Sequence, residues 1–298
     1  MFEKKQMLFL YVETPLHAGA GRSLGVVDLP IQREKVTGYP MVQASGLKGC
    51  LRSECLLVNG GAGTLDIPEI FGPEDSSYAA SISFGDARIL LFPVRSLNGT
   101  FAWVTCKEVL EGFRRSLTGC SQQVPDWNIP EITDPQMALR SGAGVNIPNQ
   151  AQIVLEEYTF TSERNEVVSE IAEWLANYAI PDSNEYQYIK DSLKRKLVLL
   201  HENSFRDFTQ TSTEVQTHIK INPDTNTVSN RALWVTENLP AETLMYAPVY
   251  ASRSRAPGAN KTADEILQSF AGYGITRVQL GGDNTTGQGI VAIRMGGV

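Results

Sequence analysis

Residues 6–13 (QMLFLYVE) are an apolar run, which predicts a first strand buried on both faces. At 45–58, Leu47, Cys50, Leu51 and Cys55 recur at helical spacing behind Ser45, a residue suited to capping a helix N-terminus. NGGAG at 59–63 ends that helix. Further on, 81–84 and 101–106 read as short strands and 107–116 as a short helix. The stretch 122–149 carries four prolines, two glycines and no strong period. The region from about 60 to 150 is therefore expected as an irregular insertion laid on a scaffold, without a core of its own. A strand at 152–160 and helices at 167–178, 184–201 and 204–210 follow. Next comes a strand–turn–strand: 213–221, the turn NPDTNT, then 232–236. Strands at 243–250 and 273–280 lead to LGGDNTTGQGIVAI, a glycine loop between two strands. Strands interleaved with helices predict an α+β, ferredoxin-like core with long insertions, in one large domain or two small ones. If the first and last strands are neighbours, the glycine loops at the two ends of the chain line one groove.

The polar residues between these elements concentrate in 16–52, LHAGAGRSLGVVDLPIQREKVTGYPMVQASGLKGCLR. Gly19, Gly21 and Gly25 allow backbone angles and close approaches closed to other residues, so this loop can wrap a ligand with its N–H groups. Asp28 lies alone among apolar residues in VVDLPI, which Pro30 keeps extended. Lys48 and Arg52 stand four apart, on one face near the positive end of the predicted helix. Free N–H groups, the helix dipole and two cations together make an anion site, and phosphate is the common occupant. The plainer alternative is a capped surface helix with solvated cations. GAGRSLG spaces its glycines one residue too widely for a dinucleotide fingerprint, and GLKG lacks P-loop spacing. Both observations argue against a Rossmann enzyme or a P-loop NTPase.

Charge changes the picture once. The chain has 26 basic and 33 acidic residues, a net −7, whereas a free-standing nucleic-acid binder is usually basic. A nucleic-acid role then requires a local basic strip, with the acidic faces toward water or other chains. Cys50, Cys55, Cys106 and Cys120 form no CxxC pair, and His17, His201 and His218 are far apart. No apolar run approaches the roughly 20 residues of a membrane span, and no signal-peptide pattern opens the chain. A cytoplasmic protein with reduced thiols is expected.

LHAGAGRSLGVVDLPIQREKVTGYPMVQASGLKGCLR, TSTEVQTHIKINPDTNTV and VQLGGDNTTGQGIVAI resemble the backbone subunits of the type III-B CRISPR effector, the Cmr complex, within the RAMP superfamily. The resemblance runs from the first strand to the last and is loosest over 60–150. It implies an RRM-like palm, helical finger insertions and a protruding thumb hairpin at about 213–240. It also implies copies stacked in a helical filament on a crRNA, with the other Cmr subunits, and no membrane association. The thumb of one copy would press into the guide–target duplex and flip out a nucleotide, and Asp28 would cut target RNA there with Mg2+ or another divalent cation. His17 is a candidate guide contact or a satisfied loop histidine and, with Glu237, a candidate helper. Gly19, Gly21, Arg22, Ser45, Lys48, Arg52, Gly281, Gly282, Thr286 and Gly287 would hold RNA. One departure is His218, where the resemblance leads one to expect arginine.

Internal RNA cutting is easiest through the strand's own 2′-OH, with attacking oxygen, phosphorus and leaving oxygen in line. A flipped nucleotide permits that alignment and a stacked A-form strand resists it. A lone aspartate is a weak general base but a serviceable Mg2+ ligand. The ordinary alternative is an Asp accepting backbone hydrogen bonds in a turn. Trp234 either packs the thumb or stacks on a base, and Arg253 and Arg255 form a loop cation patch. Two functions follow: a filament subunit that cuts, or one that holds the guide while others cut. A solitary phosphate-binding enzyme fits the glycine loops but not the thumb.

Overall fold

The computed structural model describes residues 2–58, 66–120, 123–222, 224 and 227–296. The order of elements is β1 (Lys4–Val12), β2 (Met41–Val42), α1 (Ala44–Val58), α2 (Asp66–Phe71), β3 (Ile82–Phe84), β4 (Ala87–Ser96), β5 (Thr100–Cys106), α3 (Lys107–Gly119), β6 (Met137–Arg140), β7 (Gln152–Leu155), β8 (Tyr158–Arg164) and α4 (Glu166–Tyr178). It continues with α5 (Gln187–Lys196), β9 (Leu197–Leu200), α6 (Glu202–Thr211), β10 (Glu214–Ile221), β11 (Val228–Asn238), β12 (Leu244–Ala251), α7 (Ala263–Gly272), β13 (Arg277–Gln279) and β14 (Ile290–Gly296). The architecture is mixed α+β.

β1 is central because its side chains from Met7 to Val12 are all buried. It pairs antiparallel with β12 on one edge, Leu8 opposite Ala247, and with β14 on the other, Leu10 opposite Ile293. The first and last strands are therefore neighbours, as the paired glycine loops require. The main sheet runs β13-β14-β1-β12-β4-β5-β9-β6-β8-β7. β7 returns to β4 through Ser96 and Leu155, so the second half of the sheet curls round on itself. Phe9 sends its ring into α3 and α4, where it meets Phe113 at 5.9 Å and Trp174 at 6.3 Å, both edge-on.

The region 60–150 differs from its expectation. Apart from 59–65 and 121–122, which lie outside the described residues, it holds β3, β4, β5 and β6, all strands of the main sheet. ARILLFPVRS reads as a broken pattern because Pro93 interrupts it. Yet β4 is ten residues long and is a corner strand, paired with β12 through its first half and with β5 through its second. The expected helix 184–201 ends at Lys196, and LVLL becomes the fully buried strand β9, parallel to β5. The strand expected at 152–160 is a hairpin, β7–β8, turned by Glu156 at φ +50°. α7 carries a capping box, Thr262 with Glu265. No helix among the described residues is long and apolar enough to cross a membrane.

β10 and β11 form a separate two-stranded ribbon. Val215, Ile219, Ile221, Leu233 and Trp234 on it are exposed. Of its turn, Pro223, Thr225 and Asn226 lie outside the described residues.

Candidate functional site

The segment after β1 is a ribbon folded back on itself. Gln32 N–H donates to Ala18 O at 2.8 Å, Ala20 N–H to Pro30 O at 2.8 Å, and Ser23 N–H to Asp28 O at 2.9 Å. Gly21, at φ +97°, lets the outgoing strand bend. Leu24 and Val26 at the tip are fully exposed.

β11 lies along the returning strand of this ribbon. Leu29 N–H donates to Val235 O at 3.1 Å, and Glu237 N–H donates to Leu29 O at 3.0 Å. Between them, Val235 N–H donates to Asp28 Oδ2 at 2.8 Å. The Asp28 side chain is thus fixed to the base of the hairpin, and no donor among the described residues reaches its Oδ1. A hollow of about 440 Å³ opens here, lined by Arg22, Ser23, Asp28, Leu29, Leu233 and Trp234.

Glu237 does not face that hollow as a helper carboxylate would. It is 6% exposed. Its Oε1 accepts from Arg33 Nη2 at 2.5 Å and Thr213 Oγ1 at 2.9 Å, and its Oε2 accepts from Ile31 N–H at 3.1 Å. Both oxygens are committed to locking the ribbon, α6 and β11 together. Arg33 is equally committed, donating also to Gly38 O and Thr209 O.

His17 sits where the two glycine loops meet. Its Nδ1 is 2.7 Å from Glu237 O; a carbonyl only accepts, so Nδ1 carries a proton and Nε2 is left facing Gly19. A Cβ on Gly19 would stand 2.8 Å from that Nε2. From the C-terminal loop, Gly282 N–H donates to His17 O at 3.0 Å. A Cβ on Gly281, which has φ +76°, would lie 2.2 Å from the same oxygen. Gln288 in that loop is buried and donates to Gln216 Oε1 of β10 at 2.9 Å. Thr286 turns back on Asp283, donating to its O at 2.7 Å, and stays exposed beside Gly287.

The α1 residues separate. Ser45 is not the cap. Helix α1 starts at Ala44, whose N–H is met by Asp86 Oδ1 at 2.8 Å, and Ser45 is an exposed residue of its first turn. Arg52 donates to Gly72 O at 2.8 Å and faces Glu74 at 3.7 Å, tying α1 to the end of α2. Lys48 has no carboxylate partner among the described residues. Burial, and then the Arg52 charge, hold its ammonium below the usual lysine range. Cys50, beside it, is within hydrogen-bond reach of the Gly281 backbone, which places α1 against the C-terminal glycine loop.

Trp234 is on the hairpin, outside the core. It stacks on His218 at 5.3 Å with 12° between planes, and His218 Nε2 is 2.8 Å from Thr236 Oγ1. Arg253 pairs with Glu3 at 3.0 Å, beside the start of β1 and away from the hollow. The residues missed by sequence reading are Val235, Thr213 and Gln288. They act through backbone or buried contacts that no local pattern announces.

No three of His, Cys, Asp and Glu gather as a metal-holding group among the described residues. Mg2+ commonly takes one or two carboxylates, several waters and substrate phosphates. A single carboxylate with one open oxygen, beside a strand, fits such a hydrated ion, and Asp28 would hold it.

The chain matches the model of the RAMP superfamily over residues 9–292. It is 34% identical to the CRISPR system Cmr endoribonuclease Cmr4 of Pyrococcus furiosus, over 98% of this chain and 96% of that one. It is 28% identical to the CRISPR system CMR subunit Cmr4 of Saccharolobus solfataricus, over 96% and 94%. The crystal structure of oligomeric Cmr4 from Pyrococcus furiosus superposes with a TM-score of 0.76 at 28% identity, over 99% of this chain and all of that one. A type III-B Cmr-beta complex bound to cognate target RNA shares the fold, with a TM-score of 0.73 at 22% identity over 99% of this chain and 98% of that one.

Proposed function

This chain is a member of the RAMP superfamily, and from that premise we propose that it is a crRNA-binding backbone subunit of a type III-B effector that cuts guide-paired target RNA at Asp28. One observation carries the reading. Among the described residues, the hollow between ribbon and hairpin has one lining carboxylate, Asp28, clamped there by Val235 through Oδ2 while no described donor reaches Oδ1. In this reading the strands around β1 are the RRM-like palm, β10–β11 is the thumb, and helices flanking the sheet are fingers. Further copies, the other Cmr subunits and the crRNA complete the groove.

Guide binding falls to the junction of the two glycine loops and to Lys48. Gly19, Gly21, Gly281, Gly282, Thr286 and Gly287 offer close backbone approach, and Lys48 offers charge. Such contacts hold phosphates without reading bases, as a guide of any sequence requires. Cutting then proceeds at a nucleotide splayed by the thumb. The 2′-oxygen attacks phosphorus, the P–O5′ bond breaks, the 2′ proton passes to solvent and a proton from solvent reaches O5′. A divalent cation, when bound, supplies charge neutralisation at the phosphate. Asp28 fixes the strand's position in the hollow, and His17 and Glu237 hold that geometry from behind.

The Val235 contact is also one a structural acceptor makes, and on that second reading the subunit only scaffolds the guide. The experiment mixes the complex, reconstituted with crRNA, with end-labelled complementary RNA and Mg2+. Evenly spaced products are expected; intact RNA would leave the scaffold reading.

A further inference from the structure

The resemblance groups Arg22 with the glycines and cations that would hold RNA. The geometry separates it from them. The hydrogen bonds of the ribbon run in order from Ala18–Gln32 through Ala20–Pro30 to Ser23–Asp28. Gly19 is at the inner end, against His17, where Gly281 and Gly282 also arrive. Arg22 is at the outer end, next to the rung that Asp28 closes. It lines the same hollow as Asp28 and Trp234.

Arg22 is also exposed and has no carboxylate partner among the described residues, whereas Arg33, Arg52 and Arg277 are paired to Glu237, Glu74 and Glu13. A phosphodiester placed beside Asp28 brings one anion against another. A cation from the chain beside any bound metal ion relieves that repulsion, and among the described residues the hollow's cationic lining residue is Arg22. A guanidinium matches two non-bridging phosphate oxygens with two parallel N–H donors. Those oxygens gain negative charge as phosphorus becomes five-coordinate, so such a contact tightens on the way to the transition state.

We propose that Arg22 is a catalytic residue of the cutting reaction, its guanidinium bound to the non-bridging oxygens of the scissile phosphate across the hollow from Asp28. This rests on the cutting role proposed above. Arg22 stays charged throughout and exchanges no proton. It stabilises the dianionic phosphorane while the O2′–P bond forms and the P–O5′ bond breaks.

The test is single-turnover cleavage by the reconstituted complex carrying Arg22→Ala or Arg22→Lys, with guide and target affinities measured on the same preparations. Arg22→Ala is expected to slow cutting by about 10²–10³-fold, with both affinities unchanged. Arg22→Lys recovers part of the rate, since it restores charge but not the fork. Added guanidinium ion restores cutting to Arg22→Ala and not to Asp28→Asn. Wild-type rates in Arg22→Ala, a rate loss mirrored by an equal loss of guide affinity, or no response to guanidinium would each overturn the assignment. If the wild-type complex itself leaves RNA intact, the cutting role fails first, and that result is distinct from a failure of Arg22.

Discussion

Val235 and Asp28 are joined across 207 positions of chain, the backbone N–H of one donating to the carboxylate of the other at 2.8 Å. Asn at position 28 keeps an acceptor oxygen for that N–H while removing the negative charge. Asp28→Asn is therefore expected to fold, assemble and bind target normally and to cut at least about 100-fold more slowly. The check is a product ladder from labelled RNA, beside a thermal melt. Undiminished cutting would remove Asp28 from the chemistry.

Glu237 is a stability residue by its contacts, and its loss should be seen without any RNA. Its side chain is 9% exposed and that of its partner Arg33 is 23% exposed. Removing one member of a buried pair strands the other, at roughly 3–5 kcal/mol, and the partial exposure of Arg33 argues for the lower end. Glu237→Gln should lower the urea midpoint accordingly. The double variant Glu237→Leu with Arg33→Met should recover much of it. A melt of Glu237→Gln superimposable on wild type would contradict the arrangement.

Lys48 and Arg52 should part company in a salt titration. Losing one phosphate contact lowers the salt slope of guide binding by close to one unit. That is the expectation for Lys48→Ala. Arg52 is spent on Gly72 O and Glu74, so Arg52→Ala should leave the slope alone and loosen α1 against α2. Equal slope changes for both would show that Arg52 leaves its protein partners for RNA.

Glu242 gives a pH signature away from the site. Burial raises its carboxyl above the usual glutamate range, against the Tyr11 hydroxyl, which donates to it and pulls it down. A raised folded-state pKa favours the protonated form in the fold. Its stabilising effect is full below the unfolded value and fades as pH rises through the folded one. Glu242→Gln has no such loss. Its melting temperature should exceed wild type at pH 7–8, and the gap should close on acidification to pH 4. A constant gap across that range would contradict the burial argument.

Much of this was legible in the residues. QMLFLYVE announced β1, and the two glycine-rich stretches announced a junction, because glycine marks backbone contact. The Gly281–His17 approach is that contact. The turn chemistry of NPDTNT gave the hairpin. What sequence could not carry was long-range pairing. β4 was hidden by Pro93, whose strand register depends on β5 and β12, and LVLL beside a helix was indistinguishable from its continuation. Ser45 lost the capping role to Asp86, which is 41 positions away. Glu237 looked like a helper because an acid near a site invites that reading; its burial is a tertiary fact.

β1 leaves the ribosome long before either of its partner strands, β12 and β14, has been made. Asp28 waits for Val235, and His17 waits for Gly282. Throughout most of its synthesis the nascent polypeptide therefore carries the aspartate on an unanchored tether. If Asp28 cuts as proposed, the site is organised only once the segments carrying Val235 and Gly282 are made, so a product terminated before them has no ordered site to turn on the messages around it.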